Sequence, residues 1–203
     1  MSTQHIIVIG GGAAGFFAAI NAAELHPNYK VTLIEKTSKL LSKVRISGGG
    51  RCNVTHSCFD NTQLIKNYPR GEKELRNVFS RFSVNDTIQW FKKRGVELKT
   101  EADGRMFPES NTSETIVSCL LSAAEKANVT LKLNVDIESV STNNNLFQLQ
   151  VKGGGVFECN KLIIATGGNP KEEAYKWLKD LGHTIIKPVP SLFTFNIPNN
   201  PIT

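Results

Sequence analysis

Two glycine-rich segments and a late apolar strand hold the residues whose types and spacing could do chemistry. The first segment is Gly10-Gly11-Gly12-Ala13-Ala14-Gly15, which follows the apolar run His5-Ile6-Ile7-Val8-Ile9. Glu35 stands 20 positions beyond Gly15, at the end of a second apolar run, Val31-Thr32-Leu33-Ile34. In such a pattern Gly10 permits a tight turn off a strand. Gly12 lets the main chain approach a pyrophosphate without a Cβ, and Gly15 lets a helix pack closely on the sheet. A helix expected from about Ala13 turns free N–H groups and the positive end of its dipole toward two phosphates. Glu35 can accept hydrogen bonds from a ribose, and its charge disfavours a 2′-phosphate. The glycine spacing alone is a weak signal, but strand, helix and spaced acid together describe a dinucleotide-binding βαβ unit.

The second segment is Lys43-Val44-Arg45-Ile46-Ser47-Gly48-Gly49-Gly50-Arg51-Cys52-Asn53. Three glycines leave backbone amides bare, and Ser47, Arg51 and Asn53 surround them with hydroxyl, guanidinium and amide donors, a composition suited to an anionic or carbonyl-rich ligand. A flexible surface turn is the competing reading. The late strand, Lys161-Leu162-Ile163-Ile164-Ala165, ends in Thr166-Gly167-Gly168. It reads as a fully buried strand of a parallel sheet that delivers backbone to a nucleotide at the sheet's carboxyl edge.

The elements that must position these groups follow from periodicity. Arg76 to Arg94 reads as helix in two pieces around Ser83, with Phe79, Phe82, Ile88 and Phe91 as core candidates and Gly95 as the stop. Val96–Lys99 and Arg105–Phe107 flank Asp103-Gly104 as a hairpin. Thr112 or Ser113 caps a helix whose Ile116, Val117, Leu120, Leu121 and Ala124 form a core face. Val129–Val135, Ile137–Ser141, Phe147–Val151 and Val156–Cys159 read as successive strands, with Asn143–Asn145 and Gly153–Gly155 as turns. A further helix is expected near Ala174–Leu181. The fold class is therefore α/β: a Rossmann-like domain with a central parallel sheet, a β-meander, and a small helical and hairpin excursion at about residues 61–110.

With 203 residues and 40% hydrophobic content the chain can bury a real core. Its net charge of +6 suits an anionic cofactor, an acidic substrate or nucleic acid. The basic residues are scattered, however, and Lys92-Lys93-Arg94 reads better as a solvated helix terminus than as a nucleic-acid patch. No apolar run approaches the roughly 20 residues of a bilayer span, and the start lacks a secretory pattern, so a cytoplasmic location and no membrane partner are expected. Cys52, Cys58, Cys119 and Cys159 form no C-x-x-C pair and the histidines no ligand spacing, so no metal site is expected. Cys119 and Cys159 read as core filling, and Cys52 as a packed thiol before a redox-active one.

Ser47–Asn53 (SGGGRCN), Gly104–Pro108 (GRMFP), Ala165–Gly168 (ATGG), Leu181-Gly182-His183 and Pro190-Ser191-Leu192 together resemble the BaiN-like, or YhiN-like, FAD-dependent oxidoreductases of the glutathione-reductase-like superfamily. The resemblance covers essentially the whole chain, and SGGGRCN with GR-x-FP is its most specific part. It implies FAD, with NAD(P)H as a candidate electron donor. By resemblance, Gly10, Gly12, Ala14 and Gly15 would hold the pyrophosphate, and Glu35 and Lys36 would meet the adenosine ribose. Lys43, Ser47, Gly48, Gly49, Gly50, Arg51 and Asn53 would run along the ribityl and flavin side. Val135 would lend backbone to the adenine, and Thr166 and Gly167 would approach the flavin or pyrophosphate. Arg51 is the candidate for tuning the flavin electronically, near its N1 and C2 carbonyl.

The chain departs from the family in two places. Asn169-Pro170-Lys171-Glu172-Glu173 replaces a glycine- and serine-rich segment. Family members are also about twice this length, so residues 1–190 are expected to be an FAD-binding domain and 191–203 the start of a truncated or missing β-rich insert. Three functions are compatible with these expectations: a flavin oxidoreductase with a small-molecule substrate, a flavin-dependent tRNA-modifying enzyme, and a non-catalytic FAD-binding module. Substrate and oligomeric state are not read.

Overall fold

A computed structural model describes residues 3–189. The Pro190-Ser191-Leu192 motif and the expected domain start at 191–203 lie outside the described residues. In chain order the elements are β1 (His5–Ile9), α1 (Ala13–Leu25), β2 (Lys30–Ile34), α2 (Ser42–Gly50), β3 (Thr55–His56), α3 (Asn61–Leu64), α4 (Glu72–Phe79), α5 (Val84–Lys92), β4 (Leu98–Thr100), β5 (Arg105–Pro108), α6 (Ser113–Lys126), β6 (Thr130–Lys132), β7 (Ile137–Asn143), β8 (Leu146–Val151), β9 (Val156–Cys159), β10 (Lys161–Ile164) and α7 (Lys176–Asp180). Short 3₁₀ turns cover Ile65–Asn67 and Glu172–Tyr175.

The central sheet is parallel, in the order β10-β1-β2-β6. Strand β1 is apolar on both faces because both are covered. Ile6 and Val8 join Phe16, Ile20, Leu33 and Val117 in the core beneath α1 and α6. Ile7 and Ile9 join Ile34, Val140, Leu149 and Cys159 in a second core beneath the antiparallel meander β7-β8-β9. The sheet is thus sandwiched between helices and meander, and the expected α/β class with a central parallel sheet and a meander is the one observed.

Two strands differ from expectation. The run Val129–Val135 supplies only the short β6, which pairs parallel with β2 instead of starting the meander. Val135 lies beyond it, its N–H given to the Glu35 carbonyl at 3.1 Å. Strand β10 is half-exposed where full burial was expected. It pairs with β1 and forms an edge of the sheet among the described residues, so an apolar sequence marks membership of the sheet but not the number of neighbours.

Between α2 and α6 the chain makes its excursion. Helices α4 and α5 meet at Ser83, whose capping box with Asp86 starts the second piece. Trp90 and Phe91 are buried against the main core, while Phe79, Phe82 and Ile88 are only half-buried. Strands β4 and β5 form the expected hairpin, and β3, which periodicity is too short to reveal, adds a third strand. Thr112 caps α6 by accepting the Glu114 N–H, and Leu121 is half-buried beside the fully covered Ile116, Val117 and Leu120.

Candidate cofactor site

The glycine turn is shaped by close approach. A Cβ on Gly10, where φ is +114°, would stand 2.3 Å from the Ala165 carbonyl oxygen, and one on Gly15 would stand 1.8 Å from the Gly10 carbonyl oxygen. Both contacts are with backbone, so β1, β10 and the first turn of α1 close on one another only through glycine. Gly12 differs. Its φ of −89° and ψ of −175° are open to any residue, and a Cβ there meets nothing within 4 Å. Neither backbone nor packing asks for glycine at that position, which opens onto the cavity above α1. The first-turn amides of a helix have no intrahelical acceptors, and no side chain caps those of α1.

That cavity, about 1170 Å³, lies at the carboxyl ends of β1, β2 and β10, where the strand order reverses, the place an open α/β sheet offers a ligand. The volume exceeds the ~300–1,000 Å³ usual for small ligands. Gly10, Gly12, Ala14, Glu35, Lys36 and Lys43 line it, as do Ser47, Asn53, Val135, Thr166 and Gly167. Gly15, Gly48, Gly49, Gly50 and Arg51 are outside the lining. Gly15 lies on the buried side of α1, against Gly10 and Ala165. The glycine loop turns its back to the cavity, and Arg51 points to Glu101, with Nη1–Oε1 2.5 Å, and to the Phe107 ring, 4.0 Å from its centroid.

Glu35 locks the turn. Its Oε2 accepts the Gly11 N–H at 2.8 Å, and its Oε1 accepts the Thr37 N–H and hydroxyl, each at 2.9 Å. An ionised carboxylate offers about four acceptor sites, so roughly one is left for a ribose hydroxyl. Lys43 reaches across the cavity, its Nζ 3.7 Å from where a Gly167 Cβ would stand. Burial pushes the Cys52 thiol up, only partly offset by a hydrogen bond with Ser47, consistent with a packed thiol. Among the described residues no metal-binding cluster of His, Cys, Asp or Glu occurs.

Sequence reading missed part of the wall. Phe17, Phe82, Trp90 and Leu120 give the cavity an apolar end; Phe82 and Leu120 read as core from helical periodicity, which carries no sign of a cavity. Tyr175 also lines it, its hydroxyl taking the Asn169 N–H at 2.5 Å and donating to the Asn169 carbonyl at 3.0 Å. This tie shapes the segment that follows Gly168, and no spacing rule announces it.

Residues 4–191 match the family described as the HI0933-like protein Rossmann domain. A 3-dehydro-bile acid delta(4,6)-reductase of Clostridium scindens is 26% identical over 98% of this chain, and a ribosomal RNA dihydrouridine synthase of Escherichia coli is 34% identical over 83% of it. The matches span 49% and 40% of those two proteins, so the chain spans about half their length or less. The crystal structure of Thermovibrio ammonificans THI4 shares the fold, with a TM-score of 0.59 at 13% identity over 87% of this chain and 62% of that one. Among the described residues no helix is long and apolar enough to cross a membrane. The chain belongs to the HI0933-like family, as its FAD-binding Rossmann domain.

Proposed function

We propose that this chain is the cofactor-binding part of a flavin-dependent reductase. The observation that carries the reading is the open space at Gly12 over an uncapped helix N-terminus, at the carboxyl edge of the sheet. The amides of α1 would hold the FAD pyrophosphate, Glu35 would offer its remaining acceptor site to the adenosine ribose, and Lys43 would set a positive charge beside the Thr166–Gly167 turn. Bound flavin supplies hydride or electron transfer, which the protein orients and shields. The apolar end of the cavity suits a ring system better than a phosphate.

Both relatives' names denote addition of hydrogen to an unsaturated ring. On that basis the substrate class is a small molecule with a carbon–carbon double bond activated by a carbonyl, and NAD(P)H is the electron donor. A uracil base in RNA is the second reading, favoured by the 34% identity to the dihydrouridine synthase. The four cysteines are all free, which fits a reducing cytoplasm.

The test is the visible spectrum of the purified full-length protein, followed by identification of any flavin released on denaturation and by anaerobic titration with NADH or NADPH. Released FAD that is bleached by either nicotinamide supports the reading, and consumption of an α,β-unsaturated ketone or of uridine in RNA then separates the substrates. A protein that neither carries nor takes up FAD overturns it. Bound FAD that no reductant or substrate changes leaves only a binding module.

A further inference from the structure

The two most specific motifs of the chain, Ser47–Asn53 and Gly104–Pro108, meet in space. Strand β5 runs beside the loop's exit, where the Val54 N–H donates to the Met106 carbonyl at 2.9 Å. Phe107, fully buried, presents its ring edge to the loop, and a Cβ on Gly48 would stand 2.8 Å from its Cε1 and 2.8 Å from the Asn53 backbone nitrogen. The Arg51 guanidinium lies over the face of that ring, 4.0 Å from the centroid. Its Nη1 and Nη2 donate to the two oxygens of Glu101 at 2.5 and 3.5 Å. Glu101 is held in turn by Arg105 at 3.7 Å, and Arg105 by Asp103 at 2.6 Å.

The loop held this way is not self-supporting. Gly48 and Gly49 have φ of +56° and +68°, and Cys52, buried and not glycine, has φ of +61°. A side chain in that region persists only where its surroundings fix it. Within the loop itself the Cys52 N–H closes on the Ser47 carbonyl at 2.9 Å. The residues that reach the cavity, Ser47, Cys52 and Asn53, are therefore the ends of a loop whose middle is anchored behind the wall.

We infer that Arg51 and Glu101 form a positioning pair, which presets Ser47 and Asn53 against the flavin side of the cofactor from outside the cavity. Glu101 does not line the cavity, and its side chain is only 29% exposed against 34% for Arg51. A forked, ring-stacked, half-covered pair of this kind exceeds an ordinary surface ion pair in strength. Positioning replaces direct tuning of the flavin as the role of Arg51, because its guanidinium is committed to Glu101 and Phe107.

The inference rests on the FAD reading and is tested in the full-length protein with two probes, FAD and ADP. ADP engages the Gly12 and Glu35 end but has no flavin side. Glu101→Gln is expected to weaken FAD binding by about tenfold, or 1.4 kcal/mol, with ADP affinity unchanged. Arg51→Met should do the same, and the double variant should be no worse than either single one, because the two act as a unit. An unchanged FAD affinity in Glu101→Gln overturns the pair. So does an equal loss of FAD and ADP affinity, which would mark general destabilisation, or additive losses in the double variant. If the unaltered protein binds ADP but not FAD, the flavin reading fails first.

Discussion

The two ends of the cavity are built by different means. The turn end is made by a contiguous stretch: β1, Gly10–Gly15, α1 and β2 deliver the amides and Glu35 within about thirty residues of one another, and Gly10 and Gly15 answer to neighbouring backbone while Gly12 faces open space. The loop end is made by distant parts. Ser47–Asn53 takes its shape from Glu101 and Phe107, some fifty residues away, through an ion pair, a stacked ring and one strand pairing. A local motif carries its own geometry, whereas a glycine-rich loop borrows it. The first should tolerate no Cβ where backbone meets backbone, and the second should respond in proportion to how much of the borrowed support is removed.

The sharpest test lies within the turn. Gly15→Ala places a methyl group 1.8 Å from a backbone oxygen that cannot withdraw, so a loss of about 4 kcal/mol or more, or no folded protein, is expected in urea unfolding. Gly12→Ala, three residues earlier, should change stability by less than about 1 kcal/mol, since its Cβ meets open space. It should nonetheless weaken FAD binding at least tenfold, because the methyl group would stand where the pyrophosphate approaches. If Gly12→Ala binds FAD normally, the turn does not serve the phosphates.

The contrast also accounts for what could be read from sequence. Strand β1, the glycine turn, α1 and β2 were legible because their signals are local: unbroken apolar runs, glycine spacing and an acid at fixed offset. The same holds for the break at Ser83 and the turn at Asp103-Gly104. For Arg51, residue type reveals that a guanidinium is available but not which carboxylate or ring it meets, here Glu101 and Phe107. The half-exposed β10, the parallel pairing of β6 and the tie between Tyr175 and Asn169 depend on neighbours distant in the chain or on side-chain placement, and hydrophobic period contains neither.

A smaller effect distinguishes adjacent glycines in the loop. Gly48→Ala meets the buried Phe107 ring edge and the Asn53 nitrogen, both at 2.8 Å, in addition to its positive φ. About 2–3 kcal/mol of destabilisation is expected. Gly49→Ala has the same handedness but open space around it, leaving only the left-handed penalty of about 1–2 kcal/mol. Equal losses, measured by urea unfolding, would mean that Phe107 yields and does not brace the loop.

The smallest expected effect lies away from the cavity, in the footing of the turn end. His5 opens β1 and joins it to two other strands: its Nδ1 donates to the Glu158 carbonyl at 3.0 Å, and its Nε2 accepts from the buried Thr32 hydroxyl at 2.8 Å. The bond to the Glu158 carbonyl suits either protonation state, whereas acceptance at Nε2 needs the neutral ring. Burial holds its pKa below the ordinary 6.5; the Glu158 carbonyl opposes this and the nearby Lys30 charge adds to it. The unfolded chain therefore binds a proton that the folded chain resists. The stability tied to this group is complete above about pH 6.5 and declines as pH falls toward the lowered folded value. Asp60, Asp86 and Asp103 are held below 3.8 and Glu172 below 4.5, so the stability tied to them is lost at lower pH, outside the window between about 6.5 and 5 in which His5 acts. Unfolding midpoints in urea should fall modestly across that window, and His5→Gln should flatten the fall. An undiminished slope in the variant would mean that the proton is taken up elsewhere and that the start of β1 is indifferent to pH.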